Sequence, residues 1–176
     1  IYGVSSVTFK EKLAQSFIVG ISTTHANFKY IKHDFREHFG GIYFYGKKKR
    51  PRLYFQRFID QLPDATLPFF IGIDHEGGNI LRISDAGFVA NQRYIRTFDD
   101  CMITYLNSLE TGYFLRDIGF NLTFSPVLDI MNHESEVLSF RSFDEQVSPV
   151  IEHGLCSLKG YQSSGIIPVG KHFPGH

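Results

Sequence analysis

A parallel α/β fold of the (β/α)8 barrel type is predicted for this chain, and three observations predict it. Short apolar runs alternate with longer segments whose apolar residues recur at helical spacing, which is the pattern of right-handed βαβ units around a parallel sheet. The first apolar run, residues 17–20, leads into Ile21-Ser22-Thr23-Thr24; a doubly wound nucleotide fold would carry a glycine-rich turn there. Polar and charged residues gather at the ends of several different runs, as expected of a barrel whose site draws on many loops.

The elements follow in order. Thr8-Phe9-Lys10-Glu11 has the form of a capping box and opens a short helix through about Gln15. Residues 17–20 form a first buried strand, and Phe28, Ile31, Phe35 and Phe39 mark a helix that Gly40-Gly41 stops. A second strand at 42–46 precedes a helix carrying Tyr54, Phe55, Phe58, Ile59 and Leu62, ended by Pro63. The third strand, 68–73, runs into Asp74-His75-Glu76-Gly77-Gly78. After an irregular connection, Met102, Leu106, Leu109, Tyr113 and Phe114 give the apolar stripe of a third helix, with Asp99 and Asp100 at its positive end and Gly119 past its last turn.

Residues 121–126 make a fourth strand, and Arg141 lies in the polar loop after it. Ser148-Pro149 reads as an N-cap and first-turn pair for a helix bearing Val150, Ile151, Leu155, Leu158 and Tyr161. The fifth strand, 165–170, has the composition of one buried on both faces, and it delivers Lys171 and His172 to its C-terminal end. This makes one domain over residues 1–176 with about five βα units, against the eight strands and roughly 250 residues of a whole barrel. An incomplete barrel is expected, inactive alone, with Ile18 and Ile167 on open edges that invite self-association.

The composition, 43% hydrophobic and 20% charged, is that of a soluble globular chain. Lys+Arg and Asp+Glu both count 18, so there is no overall field to gather nucleic acid or an anionic membrane, and a small neutral substrate fits better. No apolar run approaches the roughly 20 residues of a membrane span. Cys101 and Cys156 fall on different helices and are expected to be reduced core residues. The expected location is the cytoplasm, although a chain beginning at Ile1 leaves room for a removed signal peptide.

The loops after strands three to five carry Asp74, His75, Glu76, Arg82, Arg141, Lys171, His172 and His176. With Gly40-Gly41-Ile42, Ser125-Pro126-Val127-Leu128-Asp129, Arg141-Ser142-Phe143 and Lys171-His172-Phe173-Pro174-Gly175-His176, they resemble, collinearly and over nearly the whole chain, the N-terminal barrel of family 3 glycoside hydrolases. The final hexapeptide and Ser-Pro-Val-Leu-Asp point to the β-N-acetylhexosaminidase branch, which trims peptidoglycan fragments. The resemblance implies that Asp74, Arg82, Arg141, Lys171 and His172 grip a terminal N-acetylglucosamine. The chemistry agrees, because a carboxylate accepts from vicinal hydroxyls while Arg and Lys donate to their oxygens. Read without the resemblance, Asp74 is equally a structural ion pair and the arginines are solvated cations, while for Lys171 and His172 a satisfied buried pair is the lesser alternative to a role in the site.

The family's mechanism is retaining, with an aspartate nucleophile and, in this branch, a histidine acid/base on a mobile loop. Both are expected beyond the end of this chain, and His176 belongs to recognition. No catalytic residue, cofactor or metal ligand is therefore expected within it. The chain departs from the family at His75, where Gln is usual, at Asn79, where Arg is common, and at Asp144, where Gly is usual; the first two are expected to border the sugar. The basic run Lys47-Lys48-Lys49-Arg50 is either a solvated helix start or a greeting for an acidic muramic sugar. Two alternatives differ in class. In one, His172, His176, Asp74 and His75 bind a metal, which Phe173-Pro174-Gly175 opposes by forbidding a helix between the histidines. In the other, the chain is a carbohydrate-binding remnant without a nucleophile.

Overall fold

The structure is a computed structural model that describes residues 7–24, 39–62, 67–87, 89–132, 135, 137–138 and 140–176. Its elements are α1 (Phe9–Ala14), β1 (Ile18–Ser22), β2 (Gly41–Tyr45), α2 (Arg52–Ile59), β3 (Phe70–Ile73), α3 (Gln92–Arg96), α4 (Cys101–Ile118), β4 (Leu122–Thr123), α5 (Val147–Ser163) and β5 (Ile167–Pro168). The five strands form one parallel sheet in the order β1-β2-β3-β4-β5. Strands laid down in strict sequence order, with no reversal, follow barrel winding rather than the doubly wound alternative. The helix predicted from Phe28, Ile31 and Phe35 lies outside the described residues.

One face of the sheet makes the core. Phe44 meets Phe55, Phe58 and Phe120 edge-on at centroid distances of 5.2, 5.0 and 5.9 Å, and Ile42, Ile71, Ile73 and Leu115 complete the cluster under α2 and α4. On the other face Tyr43 sits in register between Gly20 and Gly72, large against small. The two end strands differ from expectation. Ile18 and Ile167 are 38% and 46% exposed, so neither strand is buried on both faces. Only Ile166 of the fifth run reaches the core, because no strand among the described residues pairs with the outer edge of β1 or β5.

Local signals held at several ends. The capping box of α1 forms, with Thr8 and Glu11 satisfying each other's backbone groups. Asp100 caps α4 by accepting from Met102 N, and Gly119 closes it in the left-handed region at φ 108°. The irregular connection contains α3, capped by Asn91, which five residues were too few to reveal by periodicity. Ser148-Pro149 is not the start of α5; the helix begins at Val147 after Gln146, which makes no side-chain cap.

The apolar stripes of α4 and α5 are only partly the buried faces: Val150 and Tyr161 are buried and Phe114 packs against the core, as expected, but other members of the stripes face outward. Met102, Leu106 and Tyr113 are exposed, whereas Thr104, Ser108, Thr111, Gly112, Leu115 and Ile118 are buried. Ile151 and Leu155 of α5 likewise face outward while His153, Gly154, Ser157 and Gly160 pack inward. The cause is the close approach of the two helices. A Cβ on Gly160 would lie 2.8 Å from Ser108 Cβ, so the seam admits no larger residue at that point. Its polar atoms pair across it, Thr104 Oγ1 with His153 Nδ1 at 2.7 Å and Ser108 Oγ with Ser157 Oγ at 2.8 Å. The same approach brings Cys101 and Cys156 to a Cα separation of 5.9 Å, and they are joined in a disulfide. This corrects the expectation of reduced cysteines, since two cysteines 55 residues apart in sequence meet only through that seam.

Candidate active site

The candidate site lies at the C-terminal ends of β3, β4 and β5, where side chains leave the sheet on alternate sides. After β3, Asp74 and Glu76 point to the site and His75 turns into the protein. The turn that follows needs glycine: Gly77 has φ 98° and Gly78 φ 55°, and a Cβ on Gly77 would run into the carbonyl of Ala90. After β4, Gln92 of α3 clamps Val127 through two 2.8 Å hydrogen bonds, its amide donating to Val127 O and its oxygen accepting from Val127 N. Leu128 N donates to Lys171 O at 2.6 Å, and Val127 bridges Lys171 in parallel, so the two motif segments are locked side by side.

These loops assemble one continuous polar network. Lys171 Nζ lies 2.8 Å from Asp74 Oδ1 and 2.5 Å from Glu76 Oε1. Glu76, its side chain only 3% exposed, also takes a two-pronged contact from Arg141, Nε at 2.8 Å and Nη2 at 2.9 Å. Arg141 Nη2 reaches His172 Nε2 at 3.1 Å, and Arg82 stands 3.6 Å from Asp74 Oδ2. The carboxylate of Glu76 holds the Arg141 guanidinium above its ordinary value. Two carboxylates, Asp74 and Glu76, thus face three cations, and a third, Asp129, faces His172. Arg141 and Lys171, thirty residues apart, meet on one glutamate.

All five residues singled out from the sequence, Asp74, Arg82, Arg141, Lys171 and His172, are brought together. Glu76 and Asp129 are the members that sequence reasoning did not assign. Glu76 had a signal, since two residues beyond Asp74 at a strand end it shares that residue's side. Asp129 had only its place in a motif, and its 2.5 Å contact with His172 Nδ1 depends on the β4–β5 pairing.

His75 does not border the site. It is fully buried, its Nδ1 accepting from Arg82 N at 3.3 Å and its ring 6.5 Å from that of Phe114. Burial first, then Arg82 and Lys49, lower its pKa from 6.5 to about 4. An unfolded chain binds a proton there below about pH 6.5 and the folded one does not, so stability falls as pH drops from 6.5 towards 4. The gap corresponds to roughly 3 kcal/mol in full and about 2 kcal/mol by pH 5. Urea unfolding at pH 7.5 and 5 should show this loss in the native chain and not in His75→Gln; equal losses in both would refute it.

Asn79 is exposed and lines a hollow of about 260 Å³ with Asn91, Gln92, Val137, Phe140 and Arg141. Lys47, Lys48 and Lys49 are exposed in the loop before α2, while Arg50 donates to Thr23 O at 2.9 Å. Asp144 accepts from Glu145 N and Gln146 N and pairs with Arg96 at 3.0 Å, which accounts for an acidic residue there. The metal alternative fails on geometry: His172 Nδ1 faces Asp129, Asp74 faces Lys171, and among the described residues no group of three or more His, Cys, Asp or Glu is arranged to hold an ion.

The sequence matches the "Glycosyl hydrolase family 3 N terminal domain" over residues 8–176. The chain belongs to this family. Within family 3 it is 33% identical over 122 residues to beta-hexosaminidase A of Pseudoalteromonas piscicida, covering 66% of this chain and 20% of that one. It is 35% identical over 117 residues to a beta-hexosaminidase of Bordetella pertussis, covering 62% and 33%. Among solved structures, a family 3 beta-N-acetylglucosaminidase from Paenibacillus sp. str. FPU-7 superposes with a TM-score of 0.85 at 27% identity, over 97% of this chain and 34% of that one. NagZ from Neisseria gonorrhoeae superposes at 0.77 with 22% identity, over 90% and 50%, which bears on the fold alone. These family 3 neighbours are of TIM-barrel type, as the sequence predicted for this chain. The chain spans a fifth to a third of the length of the curated relatives it matches.

Proposed function

We propose that the site grips the terminal β-linked N-acetylglucosamine of a saccharide such as a peptidoglycan fragment, as the recognition part of a retaining β-N-acetylhexosaminidase. The observation that carries this is the network from Asp74 through Lys171, Glu76 and Arg141 to His172, which presents acceptors and donors side by side at the strand ends. Vicinal hydroxyls ask for that alternation. The identities of the relatives support the sugar. Asp74 is the principal anchor, because Oδ2 is only loosely held by Arg82 at 3.6 Å and can take a hydroxyl.

The nucleophile and acid/base are assigned to the part of the relatives' length that this chain does not span. Asp74, Glu76 and Asp129 are each paired with a cation or with His172, which suits binding and not attack on an anomeric carbon. Recognition alone holds ground state and transition state alike. The same pairing favours, for this chain by itself, a carbohydrate-binding unit. The disulfide favours an oxidising compartment over the cytoplasm; no helix among the described residues is long and apolar enough to cross a membrane.

Losing a charge-assisted hydrogen bond should cost roughly 1.5–3 kcal/mol, so Asp74→Ala is expected to weaken N-acetylglucosamine binding at least tenfold by calorimetry. Unchanged affinity would reject the anchor. Steady release of nitrophenol from an N-acetylglucosaminide by residues 1–176, abolished by Asp74→Ala, would instead place catalysis within this chain.

A further inference from the structure

We propose that Asp129 is a positioning residue that holds His172 as the neutral Nδ1–H tautomer and so keeps the Nε2 lone pair on Arg141. The two ends of the imidazole demand the same proton placement independently. At one end, Asp129 Oδ2 lies 2.5 Å from Nδ1, and a carboxylate there can only accept. At the other, Arg141 Nη2 lies 3.1 Å from Nε2, and a guanidinium can only donate. A proton on Nε2 would set donor against donor.

Asp129 is built to do this. Its side chain is 3% exposed, its carbonyl receives Ser142 Oγ, and the preceding residues are fastened by Gln92 and by Lys171 O. Oδ2 also accepts His172 N at 3.0 Å, and Oδ1 accepts His176 N at 2.9 Å. One buried carboxylate therefore ties down the His172–His176 segment and sets the histidine that it presents.

The consequence reaches the guanidinium. Glu76 takes Nε and one contact of Nη2, and His172 Nε2 takes the other, which fixes the guanidinium plane. If His172 turned or carried its proton on Nε2, Arg141 would lose one of the acceptors that orient it. The link to sugar binding rests on the function proposed above, whereas the tautomer does not.

The test uses the 15N-labelled full chain. Long-range proton–nitrogen NMR reads the imidazole protons, with the His172 signals assigned by His172→Gln, and calorimetry reads N-acetylglucosamine affinity. The native chain should carry the His172 proton on Nδ1. Asp129→Ala should move it to Nε2, the form a free imidazole prefers, and weaken the sugar at least tenfold. Asp129→Asn keeps one acceptor oxygen for both His172 N–H groups, and should retain the Nδ1–H form. A native proton on Nε2, protons on both nitrogens at neutral pH, or an unchanged tautomer in Asp129→Ala would overturn the proposal. If Asp129→Ala does not fold, the native chain and Asp129→Asn decide it. A native Nδ1–H form in a chain that does not bind N-acetylglucosamine would reject the sugar and leave the tautomer standing.

Discussion

Reduction of the Cys101–Cys156 disulfide is expected to lower the stability of this chain by about 4 kcal/mol. The bond closes a loop with a sequence separation of 55, and the loop-closure entropy it removes from the unfolded chain has that size. Domains of this length are stable by only about 5–15 kcal/mol, so a large part of the total is at stake. Cys101 is the first residue of α4 and Cys156 lies in α5, so the bond pins the small-residue seam that holds α5 and, through it, the approach to β5. Urea unfolding of the native chain with and without reductant, and of the Cys101→Ser/Cys156→Ser double variant, measures the loss. Two free thiols in the unreduced native chain, or identical midpoints, would show that the bond contributes nothing.

Glu76→Gln is expected to cost about 3 kcal/mol of stability, within the range for breaking a buried ion pair from one side. Glu76 pairs with both Arg141 and Lys171. An amide in its place keeps the shape but turns an N–H₂ towards one of the two cations, which then loses its acceptor without regaining water. Lys171 retains Asp74 and Arg141 retains His172, which keeps the cost from being larger. Unfolding by denaturant gives the stability, and calorimetry should show N-acetylglucosamine affinity falling with it. A change below about 0.5 kcal/mol, the size expected of an ordinary surface substitution, would mean that solvent screens both cations and that Glu76 does not organise the site.

Legible in the sequence alone were the succession of the five strands, those at 41–45 and 70–73 to within a residue or two, the capping box at Thr8, the ends of α4 at Asp100 and Gly119, and the five polar residues that converge. These are local or periodic properties: a cap reads its own turn, a buried strand declares itself by a continuous apolar run, and a charge at a strand end must leave the sheet at the same rim as its neighbours. The remaining features depend on which elements touch. Met102, Leu106, Tyr113, Ile151 and Leu155 face outward because α4 and α5 approach closely enough to require Ser108, Gly112, Ser157 and Gly160 between them, and a stripe counted along one helix carries no information about its neighbour. That approach also paired the cysteines. Glu76 became the hub, and Asp129 the partner of His172, because β3, β4 and β5 lie in register; His75 went the other way because alternation at a strand end puts one neighbour in the site and the next in the core.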